Sequence, residues 1–302
     1  MARRWITVLA AALLCTSACT AAGGTSPSTD PSSGPSSGGT SGAPSYASYV
    51  ALGDSYTAGP LIETTDVTDG CFRSDHDYPS LLAKRLRIAH LRDVSCSSAR
   101  TRDLAHRQHT FRGGLRPPQL RAVRPGTDLV TLGMGGNDFG LFGTLVQRCT
   151  GLRGTDPTGA PCTAALRRTE PGLFGDIRRV GVRLTRSLDT IHRRAPHARV
   201  VLVGYLRLAP AHGTCPSRLP LADGDYPLAD RVSRALRDTM RHAAAAGHAT
   251  FVDMYQASAG HDACSAHPWV NGRGSIPGVA IAYHPFVAGM RAVARQVRAA
   301  LS

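Results

Sequence analysis

Lysine is almost absent from this chain. Lys84 is the only one in 302 residues, so the net charge of +14 is carried nearly entirely by arginine. Aromatic residues are scarce at 6%, and few are interleaved with the arginines, which removes the stacking platforms that bind single-stranded nucleic acid. No apolar run reaches the roughly 18 to 20 residues that cross a bilayer, so a multi-span membrane protein is excluded. There is no C-x-x-C pair and no tight Cys/His cluster with zinc spacing, so neither a metal nor another cofactor is expected. What is present suits a packed globular protein: 42% hydrophobic and 19% charged residues are incompatible with wholesale disorder.

The ends of the chain differ sharply in composition. Met1 to Ala18 reads as a signal peptide, with Arg3 and Arg4 as a positive start, Ile6 to Leu14 as a short apolar stretch and Thr16-Ser17-Ala18 as a small-residue cleavage site. Cys19 follows directly, in the manner of a bacterial lipobox, although Thr16 stands where leucine is usual; lipidation of Cys19 is the expectation, with an ordinary cleaved signal as the alternative. Residues 19–45 are rich in Gly, Ser, Thr, Pro and Ala, with Asp30 as their one charge. Such a segment has nothing to bury and reads as a flexible linker. The first 45 residues therefore hold a net charge of only +1, and +13 falls on residues 46–302. Those arginines are scattered along helical stretches such as Arg178, Arg179, Arg183 and Arg186, which reads as a solvated basic face and makes nucleic acid an unexpected partner.

Six cysteines remain after Cys15 and Cys19: Cys71, Cys96, Cys149, Cys162, Cys215 and Cys264. An even number in an exported chain argues for disulfides, and six allow 15 pairings. Sequential pairing, Cys71–Cys96, Cys149–Cys162 and Cys215–Cys264, closes the shortest loops and is the favoured arrangement.

From Tyr46 onward, short apolar runs alternate with longer amphipathic ones. Tyr49 to Leu52, Asp93 to Ser95, Leu129 to Leu132, Val200 to Val203 and Thr250 to Val252 read as strands. Tyr78 to Arg87, Phe174 to Ala195, Leu228 to Ala246 and Pro285 to Leu301 read as helices, the second with apolar residues at 177, 180, 184, 188 and 191. Strands alternating with helices predict one α/β domain over 46–302, its parallel sheet covered on both faces.

Three short blocks carry chemistry. Gly53-Asp54-Ser55 follows the first strand, placing a serine where open α/β sheets bind ligands. Gly135-Gly136-Asn137-Asp138 follows the third, and Asn137 has a side-chain N–H to offer an oxyanion. His284-Pro285 stands before the final helix, where a histidine can act as base toward a serine. His267-Pro268 is a competing pair.

These residues resemble the SGNH, or GDSL, hydrolase family, from Tyr49 to the C-terminus. The resemblance implies a three-layer α/β/α sandwich with a parallel five-stranded sheet of flavodoxin-like order. It makes Ser55 the nucleophile, His284 the base and Asn137 an oxyanion donor. Cys96-Ser97-Ser98-Ala99 resembles the block whose glycine N–H completes the oxyanion hole, so the amide of Ser98 takes that role beside the amide of Ser55. Two departures stand out: Ser98 replaces glycine, and Ile281 occupies the position of the aspartate in the family's Asp-x-x-His. Some secreted actinobacterial members orient their histidine with a main-chain carbonyl, and this chain is similar to them in its six cysteines and in His261-Asp262-Ala263-Cys264 followed by Trp269-Val270. The implied site is thus a Ser55–His284 dyad oriented by the carbonyl of Ile281 or a neighbour, with Asp253 and Asp262 as rivals for that role. The expected activity is hydrolysis of carboxylic esters by a monomeric, exported or lipid-anchored protein acting on a small-molecule or lipid ester. The alternatives are a lipase or phospholipase for long acyl chains, and a surface binding lipoprotein that kept the fold and lost the chemistry.

Overall fold

A computed structural model describes residues 45–302; the predicted signal peptide, Cys19 and all but the last residue of the linker lie outside them. Five strands form one sheet: β1 (Ser48–Gly53), β2 (His90–Asp93), β3 (Leu129–Gly133), β4 (Arg199–Val203) and β5 (Thr250–Val252). Every pairing is parallel and the order is β2-β1-β3-β4-β5, the flavodoxin-like arrangement. The central strands are apolar because both their faces are covered: Tyr49 to Leu52 and Leu129 to Leu132 are all buried.

Five helices matter for the site: α1 (Ser55–Ala58), α2 (Tyr78–Leu86), α3 (Glu170–Arg194), α4 (Tyr226–Ala246) and α5 (Val287–Leu301). The chain leaves β1 for β2 in one direction, and leaves β3 for β4 and then β5 in the other. Right-handed crossovers therefore put α2 on one face and α3 with α4 on the opposite face. In agreement, α3 packs on α4 while α5 packs on α2, which completes three layers. The buried stripe Ile177, Val180, Leu184, Leu188 and Ile191 of α3 is the one its 3.6-residue spacing predicts.

Among the boundaries that differ from the sequence reading, α3 starts at Glu170 rather than Phe174 and α4 at Tyr226 rather than Leu228; two others bear on the site. The second strand is His90–Asp93, which pairs with Ser48–Ala51, and not Asp93–Ser95. It is an edge strand with alternating exposure, so it carries no apolar run to mark it. The last helix begins at Val287 rather than Pro285. The preceding residues are held by another segment instead: Asn271 N donates to His284 O (2.8 Å) and Phe286 N to Trp269 O (2.9 Å). Three disulfides join Cys71 to Cys96, Cys149 to Cys162 and Cys215 to Cys264. They suit a protein that folds in an oxidising compartment.

Candidate active site

β1 and β3 are neighbours from which the chain departs in opposite directions, so a crevice opens beyond their carboxyl ends. Gly53 and Gly133, paired in register, end the two strands. A Cβ on Gly53 would stand 2.1 Å from Thr57 Oγ1 and 2.9 Å from Gly133 O, so only glycine lets the chain turn this tightly. Gln119 steadies the turn from the side: its amide accepts from Gly53 N and donates to Gly53 O, both at 2.9 Å.

Asp54 comes next and caps α1, accepting from Tyr56 N at 2.9 Å. It faces inward, and Tyr205 OH donates to its other carboxylate oxygen. The same phenol accepts from Gly136 N at 2.8 Å, so one hydroxyl ties the Ser55 turn to the Asn137 loop. Burial pushes the Asp54 carboxyl up to about 7, against the lowering effect of the bonds from Tyr205 and Tyr56. The folded chain therefore holds this proton where the unfolded chain has lost it, and Asp54 withdraws stability as pH rises from about 4 to 7.

Ser55, 8% exposed, bonds through its Oγ to His284 Nε2 at 2.7 Å. On the far side of the ring, Nδ1 lies 2.7 Å from the carbonyl oxygen of Ala282. A carbonyl can only accept, so Nδ1 carries the proton and Nε2 presents a lone pair to the serine hydroxyl. Burial drives the His284 pKa down to about 4, partly countered by the bond to Ala282, which keeps the ring neutral at ordinary pH.

The acceptor is Ala282 and not Ile281. The Ile281 carbonyl already accepts from Asn271 Nδ2 (3.2 Å) and from His284 N (3.3 Å), so it is committed elsewhere. Tyr283, between Ala282 and the histidine, adopts φ +60°, a left-handed turn that brings the Ala282 carbonyl round to Nδ1. Tyr56 OH holds the Tyr283 carbonyl at 2.6 Å, and the Tyr56 ring lies 5.1 Å from that of His284. The three rivals fall elsewhere. Asp253 caps a short helix by accepting from Gln256 N (3.0 Å) and faces Arg237. Asp262 accepts from Cys264 N (2.9 Å). His267 is exposed, its carbonyl taken by His261 Nδ1 at 2.7 Å.

Asn137 donates one Nδ2 proton to Ala99 O at 3.0 Å, which fixes the amide and leaves its second N–H available. Ser98 sits at φ +65°, the backbone shape that glycine adopts freely. The serine thus keeps a glycine conformation at a cost of roughly 1 kcal/mol, and its exposed side chain meets no crowding from the core. Asp138, fully buried, accepts from Thr101 N and Thr101 Oγ1 and pairs with Arg183 at 2.9 Å. It locks the loop after β3 to the segment that carries Ser98 and to α3.

Ser55, Ser98, Asn137 and His284 line one cleft of about 930 Å3, whose other walls include Leu61, Phe72, Phe111, Phe142, Val146 and Leu208. That is a concave, mainly apolar space with a few convergent polar groups. Among the described residues no group of three or more His, Cys, Asp or Glu side chains is placed to hold a metal ion. Sequence reasoning missed Tyr205, Asn271 and Tyr56. Each acts through hydrogen bonds to residues far off in the sequence, and no local pattern marks it.

A serine-bearing turn at the switch point of a parallel α/β sheet is faced here by a histidine from the C-terminal segment. Residues 51–292 match the model of the GDSL-like Lipase/Acylhydrolase family, and the chain belongs to that family. It is similar to Lipase 2 of Streptomyces coelicolor, with 37% identity over 259 residues covering 82% of this chain and 83% of the relative. It is also similar to an esterase of Streptomyces scabiei, with 34% identity covering 71% and 72%. Among solved structures, phospholipase A1 from Streptomyces albidoflavus superposes with a TM-score of 0.69 at 27% identity, over 84% of this chain and 99% of the other. The extracellular lipase of Streptomyces rimosus gives 0.69 at 29% identity, with the same coverage. The protein is accordingly an ester hydrolase of the lipase and esterase class, and its disulfides together with an extracellular relative are consistent with export.

The bridge through Tyr205 generates a prediction. Tyr205→Phe leaves Gly136 N–H and an Asp54 oxygen without their partner, which costs about 1–3 kcal/mol for buried polar groups. Urea denaturation at neutral pH is expected to show that loss, with turnover falling as well because the two loops lose their common tie.

Proposed function

We propose that the protein hydrolyses carboxylic esters with an apolar acyl group through an acyl-enzyme formed on Ser55. The observation that carries this reading is the 2.7 Å contact between Ser55 Oγ and the unprotonated nitrogen of His284, at the floor of a largely apolar cleft. In the first step Ser55 Oγ attacks the ester carbonyl while Nε2 takes its proton. The resulting oxyanion is received by the free N–H of Asn137 and by the amides of Ser55 and Ser98, donors held in place before reaction begins. Collapse of the tetrahedral intermediate expels the alcohol, which takes the proton back from Nε2. Water then repeats the cycle on the acyl-serine, with His284 again as base, and releases the acid.

The Ala282 carbonyl is the positioning group for the base. It selects the tautomer and the ring orientation as an aspartate does, but as a neutral acceptor it stabilises the transient imidazolium less. The apolar walls favour an acyl chain over a lone acetyl group, which supports lipids or medium-chain esters as substrates. The protein works outside the cytoplasm on this reading, released or tethered through Cys19.

Ser55→Ala is expected to abolish turnover of a nitrophenyl ester and labelling by a fluorophosphonate probe. Retention of more than a few per cent of activity, or labelling at another residue, would contradict the assignment. A probe that leaves the oxidised wild-type protein unlabelled would favour a binding role for the same fold.

The pH dependence follows from the low His284 pKa. The base works while neutral, and burial keeps it neutral down to about 4, so kcat/KM is expected to hold from neutrality to about pH 5 and to fall below that. An acid limb near 6.5, the ordinary histidine value, would show that the ring is not desolvated as described.

A further inference from the structure

We propose that the two rims of the cleft form a docking surface for an anionic lipid bilayer. The surface rests on the hydrolase reading only in that it delivers an ester to the same cleft; binding itself requires no turnover.

The first rim is a two-stranded hairpin in which Gln108–His109 pairs antiparallel with Leu115–Arg116. Its tip carries Phe111, which is 70% exposed although it lines the cleft and packs edge-on against Phe72. A phenylalanine so exposed at the tip of a hairpin loses free energy to water and regains it only in an apolar medium. The cleft margin also holds a tight turn closed by the Ile276–Ala280 bridge, set between the cleft-lining Ser275 and Ile281. It presents Ile276 and Val279, 47% and 41% exposed.

Arginine dominates the hairpin rim, with Arg116 paired to Asp69 and with exposed Glu63 and Asp66 on the neighbouring segment that bridges to Gly278 through Ile62. Residues 100–116 contain five arginines and a single acid, Asp103. Arg100, Arg107 and Arg112 are exposed and form no ion pair among the described residues. Near that turn, Arg273 is exposed and equally unpaired among the described residues, close enough to Tyr283 to offset in part the rise that burial gives its phenol pKa. Apolar side chains that insert, ringed by arginines that meet phosphate, are the chemistry of attachment to a negatively charged lipid surface. A soluble polyanion would use the arginines but leave Phe111, Ile276 and Val279 in water, so the apolar tips select the bilayer.

Co-sedimentation of the full chain with phospholipid vesicles tests this, using Cys19→Ala to remove the lipidation site and Ser55→Ala to prevent hydrolysis. Binding is expected to vesicles containing phosphatidylglycerol, to weaken with salt, and to be slight on pure phosphatidylcholine. Arg107→Ser with Arg112→Ser is expected to lower the partition coefficient about thirty-fold, and Ile276→Ser with Val279→Ser about tenfold or more. Arg295→Ser with Arg298→Ser removes the same charge from the exposed end of α5, which abuts Arg199 at the start of β4 and so lies at the amino-terminal end of the strands, away from the cleft; it is expected to change binding by less than threefold. The proposal is overturned if the rim pairs bind like the parent or if the α5 pair loses as much as the rim pair. It is equally overturned if heparin competes fully while the apolar substitutions have no effect. Because every arm carries Ser55→Ala, a failure here leaves the hydrolase reading standing, and a failure of labelling at Ser55 leaves this one standing.

Discussion

The bond from His284 Nδ1 to the carbonyl of Ala282 decides which ring nitrogen faces Ser55. An ionised carboxylate in that place would likewise accept the Nδ1–H and would add a negative charge, whereas a carbonyl can only accept and brings none. The backbone must therefore hold the oxygen in one place, and much of the surrounding structure serves that end. Tyr283 takes a positive φ to turn the carbonyl, and Tyr56 bonds the next carbonyl along. Asn271 ties down Ala280 and Ile281 through its side chain while its N–H binds His284 O. A single rotatable aspartate is replaced by a loop with little freedom of its own.

The same economy joins the other side of the site. Asp54 neither touches the cleft chemistry directly nor pairs with a cation; it caps the turn that carries Ser55 and receives the Tyr205 hydroxyl. Through that phenol the Ser55 turn and the Asn137 loop share one hydrogen-bond chain. Asp138 then links the Asn137 loop to Thr101 and Arg183, and Cys71–Cys96 holds the segment before Ser98. Three loops from three strands are thus fixed to one another by buried polar atoms, which cost free energy whenever a partner is lost. Such a network would hold the donors of the proposed oxyanion hole ready before charge develops.

Much of this was legible in the sequence because it rests on local pattern. The β1 and β3 runs end in glycine-bearing turns, and the α3 stripe repeats with helical period, so strands, crossovers and the positions of Ser55 and Asn137 could be read directly. His284 could be preferred to His267 only through its place in an ordered set of blocks. The acceptor was misplaced by one residue, at Ile281, because the competing claims of Asn271 on that carbonyl come from a segment ten residues away and leave no mark in the local sequence. The edge strand β2 was displaced for a related reason, since half-exposed strands are polar. The five arginines of residues 100–116 stand together in the sequence, but that Phe111 among them is exposed shows only in the fold.

The claim that a neutral carbonyl fixes the base is tested most directly by nitrogen-15 NMR of the His284 ring across pH. The account predicts a protonated Nδ1 and a lone pair on Nε2 at neutral pH, with titration displaced from 6.5 toward 4. A proton found on Nε2 at neutral pH, or a midpoint that stays near 6.5, would contradict it.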